Sequence, residues 1–109
     1  MILYNVSVKI NPEIQSDWLY WMRSHHIPKV MATGCFLKSR MSKLEIQEQD
    51  GITYIIQYEL LNADLLNQYM IHYAPALQKE HIDRYANKFV AFRTILDVLE
   101  EFYPNERNS

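Results

Sequence analysis

Apolar and polar residues alternate from Ile2 to Ile10: Ile2, Tyr4, Val6, Val8 and Ile10 share one phase, with Asn5, Ser7 and Lys9 between them. A period of two predicts a strand whose faces meet different surroundings. Asn11-Pro12-Glu13 then reads as a helix start, with a capping side chain, a proline at the first helical position and an acid in the first turn. Ile14, Trp18 and Met22 recur at helical spacing, flanked by Leu19 and Trp21, and predict one wide apolar stripe. Pro28 should stop or kink this helix, and Gly34 should close the short turn beyond it. Residues 35–49 predict a second strand with a phase slip between Met41 and Leu44. Asp50-Gly51 predicts a tight hairpin turn, and 51–61 a third strand with Ile52, Tyr54, Ile56, Tyr58 and Leu60 on one face. Asn62 caps a second helix that Pro75 breaks, and Leu77, His81, Ile82 and Tyr85 continue its stripe to a left-handed terminator at Asn87. Residues 88–99 form the last strand.

The order β-α-β-β-α-β predicts an α+β, ferredoxin-like fold. Right-handed crossovers give a four-stranded antiparallel sheet in the order 4-1-3-2, with two Pro-interrupted helices on one face. Residues 1–103 make the single domain and 104–109 a polar, frayed tail. The helix-covered face takes Tyr4, Val6, Val8, Tyr54, Ile56 and Tyr58, together with Val90, Phe92, Leu96 and Val98 of the last strand. The bare face then carries Leu3, Asn5, Ser7, Thr53, Ile55, Gln57, Phe89, Ala91, Arg93 and Ile95. That set is too apolar for water and too polar for a dry core, so two copies stacked sheet to sheet would cover it. A plain interface, or a polar-lined cavity between sheet and partner, would follow.

Composition narrows the classes. A net charge of −2 and a pI near 6.0 argue against bulk binding to nucleic acid or an anionic membrane. The single cysteine, Cys35, rules out an internal disulfide and fits a reducing compartment. With no signal-peptide pattern and no apolar run long enough to span a bilayer, the expectation is a cytoplasmic chain. RNA-recognition modules share the strand order, but Tyr4, Tyr54 and Tyr58 fall on the wrong face for base stacking.

Several blocks together, Trp18-x-x-Trp21-Met22-x-x-x-His26-Ile27-Pro28, Thr33-Gly34-Cys35-Phe36, Tyr54-x-x-Gln57-Tyr58 and Phe89-Val90-Ala91-Phe92-Arg93-Thr94, resemble a small uncharacterised bacterial family, a domain of unknown function. The resemblance covers residues 1 to about 99. It implies a ferredoxin-like fold of the dimeric α/β-barrel kind and no particular activity. The aromatic residue before His26-x-Pro28 is also similar to a pattern in ethyl-tert-butyl-ether-degradation-type and antibiotic-biosynthesis-monooxygenase-type proteins. That similarity implies a small aromatic or quinone-like ligand inside the protomer barrel, with His26 at the matching position. Cofactor-free monooxygenases and haem-degrading relatives use an Asn on the first strand, for which Asn5 is the candidate. The haem-degrading kind adds a Trp and a second-helix His. His72 or His81 could supply the latter, but both Trp residues here lie on the first helix.

The candidate chemistry is spare. His26 could be a general base, although a histidine there also serves to cap a broken helix end. His81 reads as a satisfied core-edge histidine or a proton relay. Arg93, among Phe, Ala and Ile, needs a carboxylate, from Glu59 or from a bound anion. Asn5, Gln57, Arg93 and His26 are the candidate ligand-binding residues, and His26, His81 and Arg93 the catalytic candidates. No H-x-x-x-H or C-x-x-C pair occurs, and two glycines make no phosphate loop, so neither metal nor cofactor is expected. Three readings follow: a homodimer binding a small organic molecule, a cofactor-independent monooxygenase- or isomerase-like enzyme on an aromatic or carbonyl substrate, or a structural protein without a site.

Overall fold

The computed structural model describes residues 1–105. Strands β1 (Ile2–Ile10), β2 (Lys38–Lys43), β3 (Ile52–Leu60) and β4 (Phe89–Asp97) form one sheet in the order β2-β3-β1-β4, antiparallel throughout. Between them run α1 (Gln15–Trp21), α2 (Ile27–Ala32), α3 (Ala63–His72) and α4 (Ala74–Arg84). This is the ferredoxin-like arrangement that the alternation and the Pro-Gly punctuation predict. Of the expected polar tail, Pro104 and Asn105 are described and the rest lies outside the described residues.

Helix starts follow the sequence. The Asn11 side chain accepts from the Glu13 amide, and that of Asn62 from Leu65, each satisfying a donor that helix geometry leaves open. Of the two outcomes expected at Pro28, a stop or a kink, the helix takes the milder one: it is locally distorted and does not stop. A π turn, Met22–His26, carries the chain from α1 into α2, with the Ile27 amide donating to Met22 five residues back. A 3.6-residue helix drifts by about 40° every four residues. The wider turn reverses that drift, so Trp18, Met22 and His26 all stay on the sheet side. Pro75 sits in the first turn of α4, where its missing amide costs nothing, and the break falls at Tyr73. Ile82 departs from the expected stripe and is 54% exposed.

Two further expectations need correction. Strand β2 is shorter than predicted, and residues 44–51 form a longer connection in place of a tight Asp50-Gly51 turn. Gly51 is needed for room: a Cβ there would lie 2.6 Å from Lys9 Cε and 3.1 Å from the Ile10 carbonyl oxygen. Gly34 and Asn87, by contrast, do take the expected positive φ, at 77° and 63°.

The larger correction concerns the phase of β4. Residues directly opposed across an antiparallel pair share a face. Ile10 faces Phe89, Val8 faces Ala91, Val6 faces Arg93 and Tyr4 faces Ile95. Arg93 therefore lies on the helix side, opposite to the sequence expectation. Phe89, predicted to be bare, stacks on His81 of α4 at 4.0 Å and 7°. Val90, Phe92 and Leu96, predicted to be covered, are 65%, 66% and 45% exposed. Both alternating sets of β4 are apolar, so composition gives no contrast from which to read a phase. Pairing with β1 decides it.

The core lies between the sheet and the helices. Tyr4, Val8, Ile10, Tyr54, Ile56, Tyr58 and Leu60 meet Trp18, Met22, Val30, Leu66, Tyr69 and Leu77, all buried. The opposite face carries Asn5 beside Gln57 and Thr94, with no helix over it.

Candidate functional site

A cavity of about 30 Å³ remains inside this core, between β1, β3 and β4 below and the π turn, α3 and α4 above. On the measure by which one water needs about 10–15 Å³, it holds two waters or one small polar head group. Tyr4 and Val6 of β1, Tyr58 of β3, His26 of the π turn, Tyr69 of α3, His81 of α4 and Arg93 of β4 line it. The rest of the wall is mainly aliphatic.

The two histidines are distinct in role. His81 Nε2 accepts a 3.0 Å hydrogen bond from the Trp18 indole N–H, deep in the core. An indole can only donate, so Nε2 carries no proton and the ring is neutral with its hydrogen on Nδ1. Burial, then the neighbouring His26 and Arg93, pull the His81 pKa down to about 3. His26 stacks on Trp21 at 5.0 Å, and its ring centre lies 5.4 Å from that of His81. Burial is the main cause that lowers its pKa to about 4, against a smaller opposing pull from Glu80. Its Nδ1 is buried and has no hydrogen-bond partner. The ring thus does not cap a broken helix end through Nδ1, because the helix is not broken there. Neutral at ordinary pH, the His26 ring forms part of the cavity wall, with one buried nitrogen left unpartnered.

Arg93 stands at the exposed rim and bears on the Tyr4 hydroxyl. No carboxylate lies within ion-pair distance of its guanidinium among the described residues; Glu59, the expected partner, pairs with Lys38 at 3.4 Å on the other face. Tyr4, Tyr58 and Tyr69 all have phenol pKa values raised, chiefly by burial, while Arg93 acts in the opposite sense on each. The sequence pattern places Tyr4 and Tyr58 on the helix-covered face. Their phase on β1 and β3 was legible, but nothing in it showed that the hydroxyls converge on one space.

The candidate residues thus divide. His26, His81 and Arg93 come together around the cavity. Asn5 and Gln57 face each other across β1 and β3 on the opposite side of the sheet, and the expected cavity shared by Asn5, Gln57 and Arg93 does not exist in one protomer. Asn5 Oδ1 is also buried without a partner. No group of three or more His, Cys, Asp or Glu among the described residues could hold a metal ion. No helix among them is long and apolar enough to cross a membrane.

A family described as "Domain of unknown function (DUF4286)" matches residues 1–99. No curated protein matches the chain. Among solved structures, an antibiotic biosynthesis monooxygenase superposes with a TM-score of 0.67 at 15% identity, over 92% of this chain and 100% of that one. An ethyl tert-butyl ether degradation family protein from Bacillus halodurans gives 0.63 at 11% identity, over 94% and 100%. A dimeric ferredoxin-like protein from an uncultured marine organism gives 0.61 at 15% identity, over 95% and 100%. At such identities the likeness is one of fold.

Proposed function

For this chain, which belongs to the Domain of unknown function (DUF4286) family, we propose a homodimer in which each protomer binds one small organic molecule between its own sheet and helices. The observation that carries this reading is the apolar-walled cavity itself, with the His26 and His81 rings in its wall and the Arg93 guanidinium, unpaired with any carboxylate among the described residues, at its rim. A mostly apolar wall with a few polar groups in it is the usual character of a small-molecule site. Of the two places the sequence suggests, between sheet and partner or inside the protomer barrel, this reading takes the second.

The uncovered sheet face supports the dimer. Val90, Phe92 and Leu96 stand there exposed beside the partnerless Asn5 Oδ1. A second copy packed face to face would remove the apolar area from water and bring donors to Asn5. One structural neighbour is itself described as dimeric and ferredoxin-like.

A cofactor-independent oxygenase-like activity is the second reading, favoured by the fold shared with an antibiotic biosynthesis monooxygenase. Asn5 does not fit it, since that side chain is on the far face of the sheet from His26 and Arg93. In an enzyme of this kind His26, His81 and Arg93 would have to act without it.

Native mass spectrometry of the protein purified from its own cells tests the first reading. The expected result is a dimer carrying small-molecule mass, lost in Val6→Trp, which fills the cavity from β1. Protein free of added mass, together with no thermal shift from any of a set of aromatic and carbonyl compounds, would refute it.

A further inference from the structure

Of the side chains that line the cavity, Arg93 is the one that is charged near neutral pH, because His26 and His81 are held neutral by burial. A guanidinium is always protonated, and here no carboxylate among the described residues answers it. Glu80, the acid nearest to this region in its effect on His26, is already engaged by Lys29 and His25. Behind the arginine stand Tyr58 and Tyr69, whose phenols feel its charge, and Tyr4, on whose hydroxyl it bears directly. A positive charge at the rim and rotatable O–H donors in the wall behind it form an environment complementary to a negative oxygen.

We propose that the ligand is an organic oxyanion, a carboxylate or a phenolate or enolate, whose charged oxygen is held by Arg93 and by the hydroxyls of Tyr58 and Tyr69. This rests on the cavity-binding reading above and narrows it to one chemical class. The cavity, about 30 Å³, admits the charged head alone. The body of the ligand then lies outside, along the helix side of β4. There Ile95, two residues beyond Arg93, offers apolar surface that is 56% exposed. The helices cover the start of β4 at Phe89 and leave this later part bare, so a ring or chain has somewhere to rest.

Isothermal titration of the full chain with benzoate and with benzamide, equal in shape and different in charge, tests the proposal. 4-Nitrophenolate, run in parallel, tells a carboxylate site from a phenolate one. The expected result is saturable binding of at least one of the two anions, ten-fold or more tighter than benzamide. Arg93→Gln should abolish that preference while leaving the fold intact by circular dichroism, and Tyr58→Phe should weaken the anion several-fold. Benzamide binding as tightly as the anions, or an Arg93→Gln variant with unchanged preference, would overturn the oxyanion proposal and leave the cavity reading standing. No binding of any probe by protein that does carry small-molecule mass from its own cells would overturn it likewise. No binding by protein that carries no such mass would end both.

Discussion

Acid should destabilise this protein well above the pH at which most carboxylates titrate, and the two cavity histidines set the size of the effect. In the unfolded chain His26 and His81 titrate near 6.5; in the fold they are lowered to about 4 and about 3. A group whose folded pKa is depressed below its unfolded value binds protons preferentially in the unfolded state, so stability falls as the pH drops through that window. At pH 7 the penalty is near zero. At pH 4.5 an unfolded histidine has gained about 2.7 kcal/mol from protonation that the folded one largely lacks, which leaves about 2.5 kcal/mol per residue and about 5 kcal/mol for both. Against a total stability on the order of 5–15 kcal/mol that is a large share. Protonating His81 would also turn its Nε2 into a donor facing the Trp18 indole N–H, breaking that 3.0 Å bond. The carboxylate of Glu80, held low first by its hydrogen bond from Lys29, loses its contribution mostly below this window. Urea unfolding followed by tryptophan fluorescence at fixed protein concentration, at pH 7, 6, 5 and 4.5, measures the slope. With an m-value of about 2 kcal/mol/M the midpoint should fall by about 2.5 M. His81→Gln keeps an acceptor for Trp18 and should remove about half of the pH dependence, and His26→Gln most of the rest. A wild-type stability flat to within about 1 kcal/mol over the range, or an unchanged slope in both variants, would refute the assignment.

Other perturbations follow from single contacts. Gly51→Ala should cost about 1 kcal/mol or more by urea titration, because the new Cβ presses on Lys9 and on the Ile10 carbonyl. Asn62→Ala should cost about 1 kcal/mol in the same assay, since the Leu65 amide loses its acceptor. Phe92→Glu, on the uncovered sheet face, should turn a dimer into monomers in sedimentation velocity at micromolar concentration while leaving circular dichroism unchanged. A wild-type chain that sediments as a monomer would count against the dimer.

Much of the fold was legible because local chemistry and the tertiary arrangement agree. β1 and β3 each contrast an apolar with a polar set, so their faces could be read, and Asn5 and Gln57 were placed correctly on the bare side. Asn11, Asn62, Gly34 and Asn87 act through backbone rules that need no distant partner. The site was legible only in part. His26, His81 and Arg93 could be singled out as unusual in their surroundings, but which of them would meet was not in the pattern. β4 is the instructive case. It is apolar on both phases, so a shift of one residue costs nothing visible in composition, yet it moves Arg93 from one side of the sheet to the other. Likewise Pro28 predicts a stop or a kink from its missing amide, and only the fold shows which: a π turn that keeps His26 on the sheet side.

The sequence by itself determined the element order, the faces of the two central strands and the helix starts, since these depend on neighbours within a few residues. The tertiary structure decided the phase of the edge strand, the convergence of three tyrosines and two histidines, and the presence of an unanswered guanidinium beside them. The physical reason is that alternation reports how unlike the two faces of a strand are, whereas only hydrogen-bonded pairing with β1 fixes which face each residue takes.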